Sequence, residues 1–151
     1  MKKKLRIYID TSVIGGCYDD EFNIWSNQLI QEFKIGLHSP VISEITQVEI
    51  IKAPNEVKSI LLKLMDYDCE LISETEESIE LAQKYIEAGI LSENFEYDAR
   101  HIAVATISNV DMLVSWNFRH IVHFDKIRQF NSVNMREGYK AIEILFTKRG
   151  Y

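Results

Sequence analysis

Leu5-Arg6-Ile7-Tyr8-Ile9-Asp10-Thr11-Ser12 opens the chain with a segment that runs straight into a carboxylate. Residues 5–9 are almost continuously apolar or aromatic, the pattern of a strand buried on both faces. After the Thr11-Ser12 turn and the Gly15-Gly16 pair, the pattern predicts a helix over 22–35 and a short strand over 38–42. Ser43 suits a helix cap. Residues 44–52 are helical in pattern, with Ile45, Val48 and Glu49 at i, i+3 and i+4, so Glu49 is expected on the side of its apolar neighbours. Pro54 sits where a helix to 65 would begin, and 69–72 reads as another strand. Ser73 and Glu76 have capping-box spacing before a helix carrying Ile79, Ala82, Tyr85 and Ile86, which Gly89 closes.

The acidic stretch 92–97 leads into a helix where Ala99, Ile102, Ala103, Thr106 and Ile107 keep a 3.6-residue period. Asp98 falls in its first turn, where the helix dipole favours an anion. Residues 111–115 form a second buried strand that ends at Ser115-Trp116-Asn117. Beyond 118 the pattern predicts short helices and two edge strands, 132–135 and 142–146. Strands alternating with helices predict an α/β fold around a mostly parallel central sheet. No repeat, linker or low-complexity segment interrupts it.

Bulk properties narrow the classes further. A chain of 151 residues, 46% of them hydrophobic, suits one domain over 1–151 and is short for two of ordinary size. Lys2, Lys3 and Lys4 imitate the start of a signal peptide, but Arg6 and Asp10 break the apolar stretch behind them. No apolar run approaches the roughly 20 residues needed to cross a bilayer, so a cytoplasmic protein without a membrane partner is expected. Cys17 and Cys69 lack a partner motif and read as reduced, apolar fillers. A net charge of −6 argues against a broadly basic coat for nucleic acid. Cationic residues do gather late, at Arg119, His120, His123, Lys126 and Arg128, with Arg136, Lys140, Lys148 and Arg149 beyond. They form either a solvated helix face or a phosphate-guiding patch.

Asp10, Glu49, Asp98 and Asn117 lie far apart in sequence, each at an element boundary. A carboxylate at the end of a buried strand is costly unless a cation or hydrogen-bond donors compensate it, and three such acids suggest Mg2+ or Mn2+ chemistry. Phosphodiester hydrolysis is then the leading expectation. The substrate is already anionic, so attacking and departing oxygens both need positive charge, supplied by one or two ions roughly 4 Å apart. Thr11, Ser12 and Ser115 are placed to orient waters or touch phosphate, and Arg119 to contact substrate.

Each acid has a plainer alternative. Asp10 could cap the following turn, Glu49 could pair with Lys52, Asp98 could be a helix-start anion, and Asn117 an ordinary turn residue. His101, one turn after Asp98, either hydrogen-bonds it or packs in the core. His120 and His123 are expected to share a helical face, but lack further ligands for a zinc site and read as surface residues or phosphate contacts. Glu93, Glu96 and Asp98 could form an extra cation cluster but read more simply as a solvated helix start, Asp19-Asp20-Glu21 as an exposed turn, and Trp25 and Trp116 as packing anchors. Rival catalytic classes fail locally. Ser12 stands where a dehalogenase-type second Asp would be, no receiver-type acidic pair or lysine is present, and Gly15-Gly16 has neither P-loop nor Rossmann spacing.

Four segments together carry a family resemblance: residues 7–12, residues 43–49, Asp98-Ala99-Arg100-His101-Ile102-Ala103 and Leu113-Val114-Ser115-Trp116-Asn117. In order, they resemble the four motifs of PIN-domain proteins, in the flavour of the VapC-like toxin ribonucleases, over roughly residues 5–147. The resemblance implies a three-layer α/β/α sandwich and an acidic core of Asp10, Glu49 and Asp98 that binds Mg2+ or Mn2+ to cleave RNA. Asn117 stands where the family often has another Asp; its neutral amide lowers the charge of the site and favours one tight ion. The resemblance further implies a homodimer and a small antitoxin that blocks the acidic pocket. A catalytically weak RNA- or protein-binding module on the same scaffold is the alternative that Asn117 keeps open.

Overall fold

The computed structural model describes residues 4–145. Its centre is a five-stranded sheet of order β3-β2-β1-β4-β5, formed by β1 (Leu5–Ile9), β2 (His38–Ser43), β3 (Glu70–Ile72), β4 (Met112–Val114) and β5 (Ile144–Leu145). Every neighbouring pair is parallel, and Tyr8 of β1 lies opposite Val41 on one side and Leu113 on the other. Because side chains alternate along a strand, Ile7 and Ile9 enter one face of the sheet and Tyr8 the other. The Ile7 face is covered by α1 (Thr11–Gly15), α2 (Asn23–Lys34) and α4 (Asn55–Met65). The Tyr8 face is covered by α5 (Glu76–Glu87), α6 (Glu96–Ile107) and α7 (Phe124–Arg136). This is the three-layer α/β/α arrangement with a parallel sheet, and α3 (Glu44–Ile50) joins the layers, Ile45 packing in one and Ile50 in the other.

Connection handedness explains why the helices divide between faces. Right-handed crossovers that step outward from β1 to β2 to β3 keep their helices on one face, whereas the return to β4 and β5 runs the opposite way and must use the other. The order therefore reverses beside β1. A crevice opens at the carboxyl ends of β1 and β4, where ligands of open α/β sheets bind. Asp10 follows β1 and Ser115 follows β4 directly. Small side chains let α6 lie close behind this crevice, with Ala99, Ala103 and Ala105 fully buried.

Some local expectations are corrected. Residues 132–135 are not an edge strand but the last part of α7, whose Phe130 and Val133 bury one turn apart; four residues of mixed polarity do not separate the two periods. The strand expected at 142–146 is seen as β5, Ile144–Leu145, and Phe146 lies outside the described residues. Helix α5 is capped by a reciprocal pair, Thr75 and Ser78, instead of Ser73 and Glu76: the Ser78 amide donates to Thr75 Oγ1 at 3.1 Å and the Thr75 amide to Ser78 Oγ at 2.9 Å, so the short serine serves where a glutamate was expected. Pro54 occupies the cap position before α4, not its first turn. Ser43 caps α3 as expected, its Oγ accepting from the Ile45 amide at 3.2 Å. Among the described residues, no helix is long and apolar enough to cross a membrane.

Candidate functional site

Asp10 is 3% exposed and extended in backbone, and its side chain does not cap α1. Both of its carboxylate oxygens are instead held by hydroxyls. Ser12 Oγ donates to Oδ1 at 2.6 Å and Ser115 Oγ donates to Oδ2 at 2.7 Å. Those hydroxyl oxygens in turn accept the Trp116 and Asn117 amides, each at 2.9 Å, so the ends of β1 and β4 are latched through one carboxylate. Burial raises the Asp10 carboxyl above the ordinary aspartate range, against the pull of His101 and the two serines.

Glu49 reaches the same place from α3. Its Oε1 accepts from Thr11 Oγ1 at 2.6 Å and from His101 Nε2 at 2.6 Å, so its partners are these and not Lys52. Val48, expected on the same buried side, is 51% exposed, since α3 turns only Ile45, Thr46 and Ile50 fully inward. Burial opposes the charge on Glu49, but the His101 hydrogen bond, the positive field of His101 and Arg100 and the Thr11 hydroxyl hold its carboxyl below the usual glutamate range. His101 does not bond Asp98 as its spacing suggested. Its Nδ1 lies 2.6 Å from the Tyr8 hydroxyl, which lies 2.7 Å from Ser43 Oγ.

Asp98 stands in the first turn of α6, with Oδ2 3.2 Å from His120 Nδ1. The His120 ring packs on Phe95 with centroids 3.9 Å apart. Burial first, then the negative charge of Asp10, raises the Asp98 carboxyl. His120 therefore belongs beside the acids, while His123 precedes α7 on an extended residue; the two share no helix face. Asn117 lies in the cleft, yet its Oδ1 accepts the His120 amide at 3.0 Å and shapes the turn. Arg119 is exposed on that turn and does not line the cleft, and Glu93 and Glu96 point to solvent.

Asp10, Thr11, Ser12, Glu49, Asp98, His101 and Asn117 together line a cleft of about 160 Å³ at the crevice. The sequence brings Asp10, Glu49, Asp98 and Asn117 here from four segments. Sequence reasoning misses Tyr8 and Ser43 as site residues and places His120 only among the late cationic group, not beside Asp98. A tyrosine at a strand position facing the core was the available signal, because a buried hydroxyl needs a partner. The donors are oxygens with one imidazole behind them, a set suited to a hard divalent cation. Among the described residues, no three His, Cys, Asp or Glu side chains are already drawn together as a ligand cluster, and each acid is held by its own hydroxyl or imidazole. Elsewhere, Cys17 and Cys69 are free thiols that burial pushes up to about 11, which fits apolar fillers.

No family description and no curated protein matches the chain. Its fold is shared with a solved structure, VapBC2 from Rickettsia felis bound to a DNA fragment from their promoter. The TM-score is 0.57 at 15% identity, over 93% of this chain and 98% of that one. The likeness is one of fold.

Proposed function

We propose that this chain is a Mg2+- or Mn2+-dependent endoribonuclease of PIN type, acting in the cytoplasm as the toxin component of a toxin-antitoxin pair. The observation that carries the reading is the meeting of Asp10, Glu49 and Asp98, from three segments, in one cleft at the carboxyl ends of β1 and β4. Three carboxylates there would repel an anionic backbone, and burial, reinforced by their mutual repulsion, already raises the Asp10 and Asp98 carboxyls. A cation held by Asp10, Glu49 and Asp98 would supply the charge that the attacking and departing oxygens of a phosphodiester need. Ser12 and Ser115 fix both oxygens of Asp10, and Thr11 fixes one oxygen of Glu49. Asn117 sets the turn after β4, and Arg119, exposed on that turn outside the cleft, would meet only phosphates flanking the cleaved bond. The fold neighbour is a VapBC2 assembly, which supports an antitoxin partner for this chain; a homodimer, and an antitoxin segment over the cleft, are what the resemblance of the motifs implies.

RNA cleavage with and without Mn2+, by wild type, Asp10→Asn and Asp98→Asn, tests this. Cleavage that requires Mn2+ and falls by roughly two orders of magnitude or more in both variants is expected, since one removed charge-stabilising group costs about that much. Equal cleavage by all three proteins removes the nuclease reading. A second reading is a catalytically weak RNA- or protein-binding module, favoured by the neutral amide at Asn117 and by the tying of that amide into the turn. RNA binding without cleavage under any divalent cation would select it.

A further inference from the structure

His101 is 1% exposed and lies in a row of polar side chains that crosses a mostly apolar layer, apart from the buried Tyr85–Asn134–Thr106 group of the same layer. Ser43 at the end of β2, Tyr8 of β1, His101 of α6 and Glu49 of α3 follow one another at 2.7, 2.6 and 2.6 Å. Apolar side chains of the same shape would fill this layer without leaving donors to satisfy, so the fold alone does not call for such a row. A carboxylate only accepts, hence Nε2 carries the hydrogen toward Glu49 whether the ring is neutral or charged. The Tyr8 hydroxyl donates or accepts and matches Nδ1 in either case. Thr11 joins His101 on the same oxygen, Oε1.

The geometry points to Tyr8 and His101 as positioning residues that pin Oε1 of Glu49 and leave its other oxygen to face a divalent cation in the cleft. This rests on the nuclease reading above. Groups behind a ligand typically alter metal affinity 10- to 100-fold. Tyr8 is fully buried behind the cleft, and His101, which lines it, commits Nε2 to Glu49.

The test measures Mn2+ affinity by electron paramagnetic resonance of the free ion, RNA kinetics, and the nitrogen-bound imidazole proton of 15N-histidine-labelled protein. His101→Asn moves the side-chain amide to the Nδ1 end, beyond reach of Glu49, whereas His101→Gln keeps a donor near Nε2. Mn2+ binding is expected to weaken about tenfold in His101→Asn and about threefold in Tyr8→Phe, with His101→Gln restored to within about threefold of wild type. kcat should follow affinity while KM for RNA stays level, and a slowly exchanging Nε2–H signal should vanish in Glu49→Ala. Should His101→Asn not fold, Tyr8→Phe and the proton signal still bear on the contact. Unchanged Mn2+ affinity in Tyr8→Phe and His101→Asn, or absence of the protected proton in wild type, overturns the positioning role. Wild type that shows the proton but binds no Mn2+ overturns the nuclease reading and, with it, any cation for Glu49 to face.

Discussion

Burial and like charge act together on Asp98 and Asp10, whereas donors around Glu49 outweigh its burial. The signs differ accordingly. For Asp10 and Asp98 the folded carboxyl is raised, so their contribution favours folding at acid pH and is lost as pH rises through the folded value. Glu49 is lowered, so its contribution is present above its unfolded value and is lost as pH falls through the folded one. Metal-free protein should therefore gain melting temperature from Asp98→Asn at pH 7.5 and not at pH 3, which differential scanning calorimetry can check. Mn2+ at about 100 times its Kd should add about 2.7 kcal/mol to wild type, or about 5–10 °C for a chain of this length, and Asp98→Asn should forfeit most of that gain. The acids were legible because a carboxylate at a strand end or in a first helical turn stands out locally. The Tyr8–His101 contact was not, since it joins residues 93 apart and no short pattern records it.

Between elements, Gly16 decides how α1 meets the loop after β4. Its backbone is ordinary for any residue, but an added Cβ would lie 2.5 Å from Ser26 Oγ and 2.7 Å from Trp116 Nε1. Trp116 occupies that space, donating to Ser26 Oγ at 2.7 Å and stacking on Phe22 at 5.5 Å. Gly16→Ala should cost about 1–3 kcal/mol in urea unfolding, as overpacking does, and should slow RNA cleavage by displacing the neighbouring Asn117 turn. In α7, Phe130→Ala should cost about 3–5 kcal/mol, because its fully buried ring packs edge-on against Tyr85 at 5.0 Å. The helices with sustained apolar periods, α4, α5 and α6, were readable in sequence. The second half of α7 was not, because Ser132 and Asn134 alternate with Val133 and Met135 as a strand would. Asn134 is nonetheless buried and bonded to the Tyr85 hydroxyl.

For the molecule as a whole, alternating strands and helices announced a parallel sheet, yet the order β3-β2-β1-β4-β5 lay beyond them, because strand neighbours are chosen by contacts distant in sequence. Once that order is set, Asp10 and Ser115 meet without further provision. With a net charge of −6 and acids in the cleft, attraction to RNA depends on few cationic side chains. Binding of single-stranded RNA to Asp10→Asn should accordingly weaken only gently with salt, with a log–log slope shallower than about −2, or roughly three phosphate contacts. Fluorescence anisotropy between 50 and 300 mM KCl measures it, and a slope steeper than about −4 would point to an extended basic track.

The latch between Asp10 and Ser115 spans 105 residues. During synthesis the first strand leaves the ribosome long before its partner exists, and the carboxylate waits without its second hydroxyl until β4 has been translated. A polypeptide that stops before Ser115 would carry no assembled cleft, so on the activity proposed here fragments ending upstream of that residue would be harmless to the cell making them.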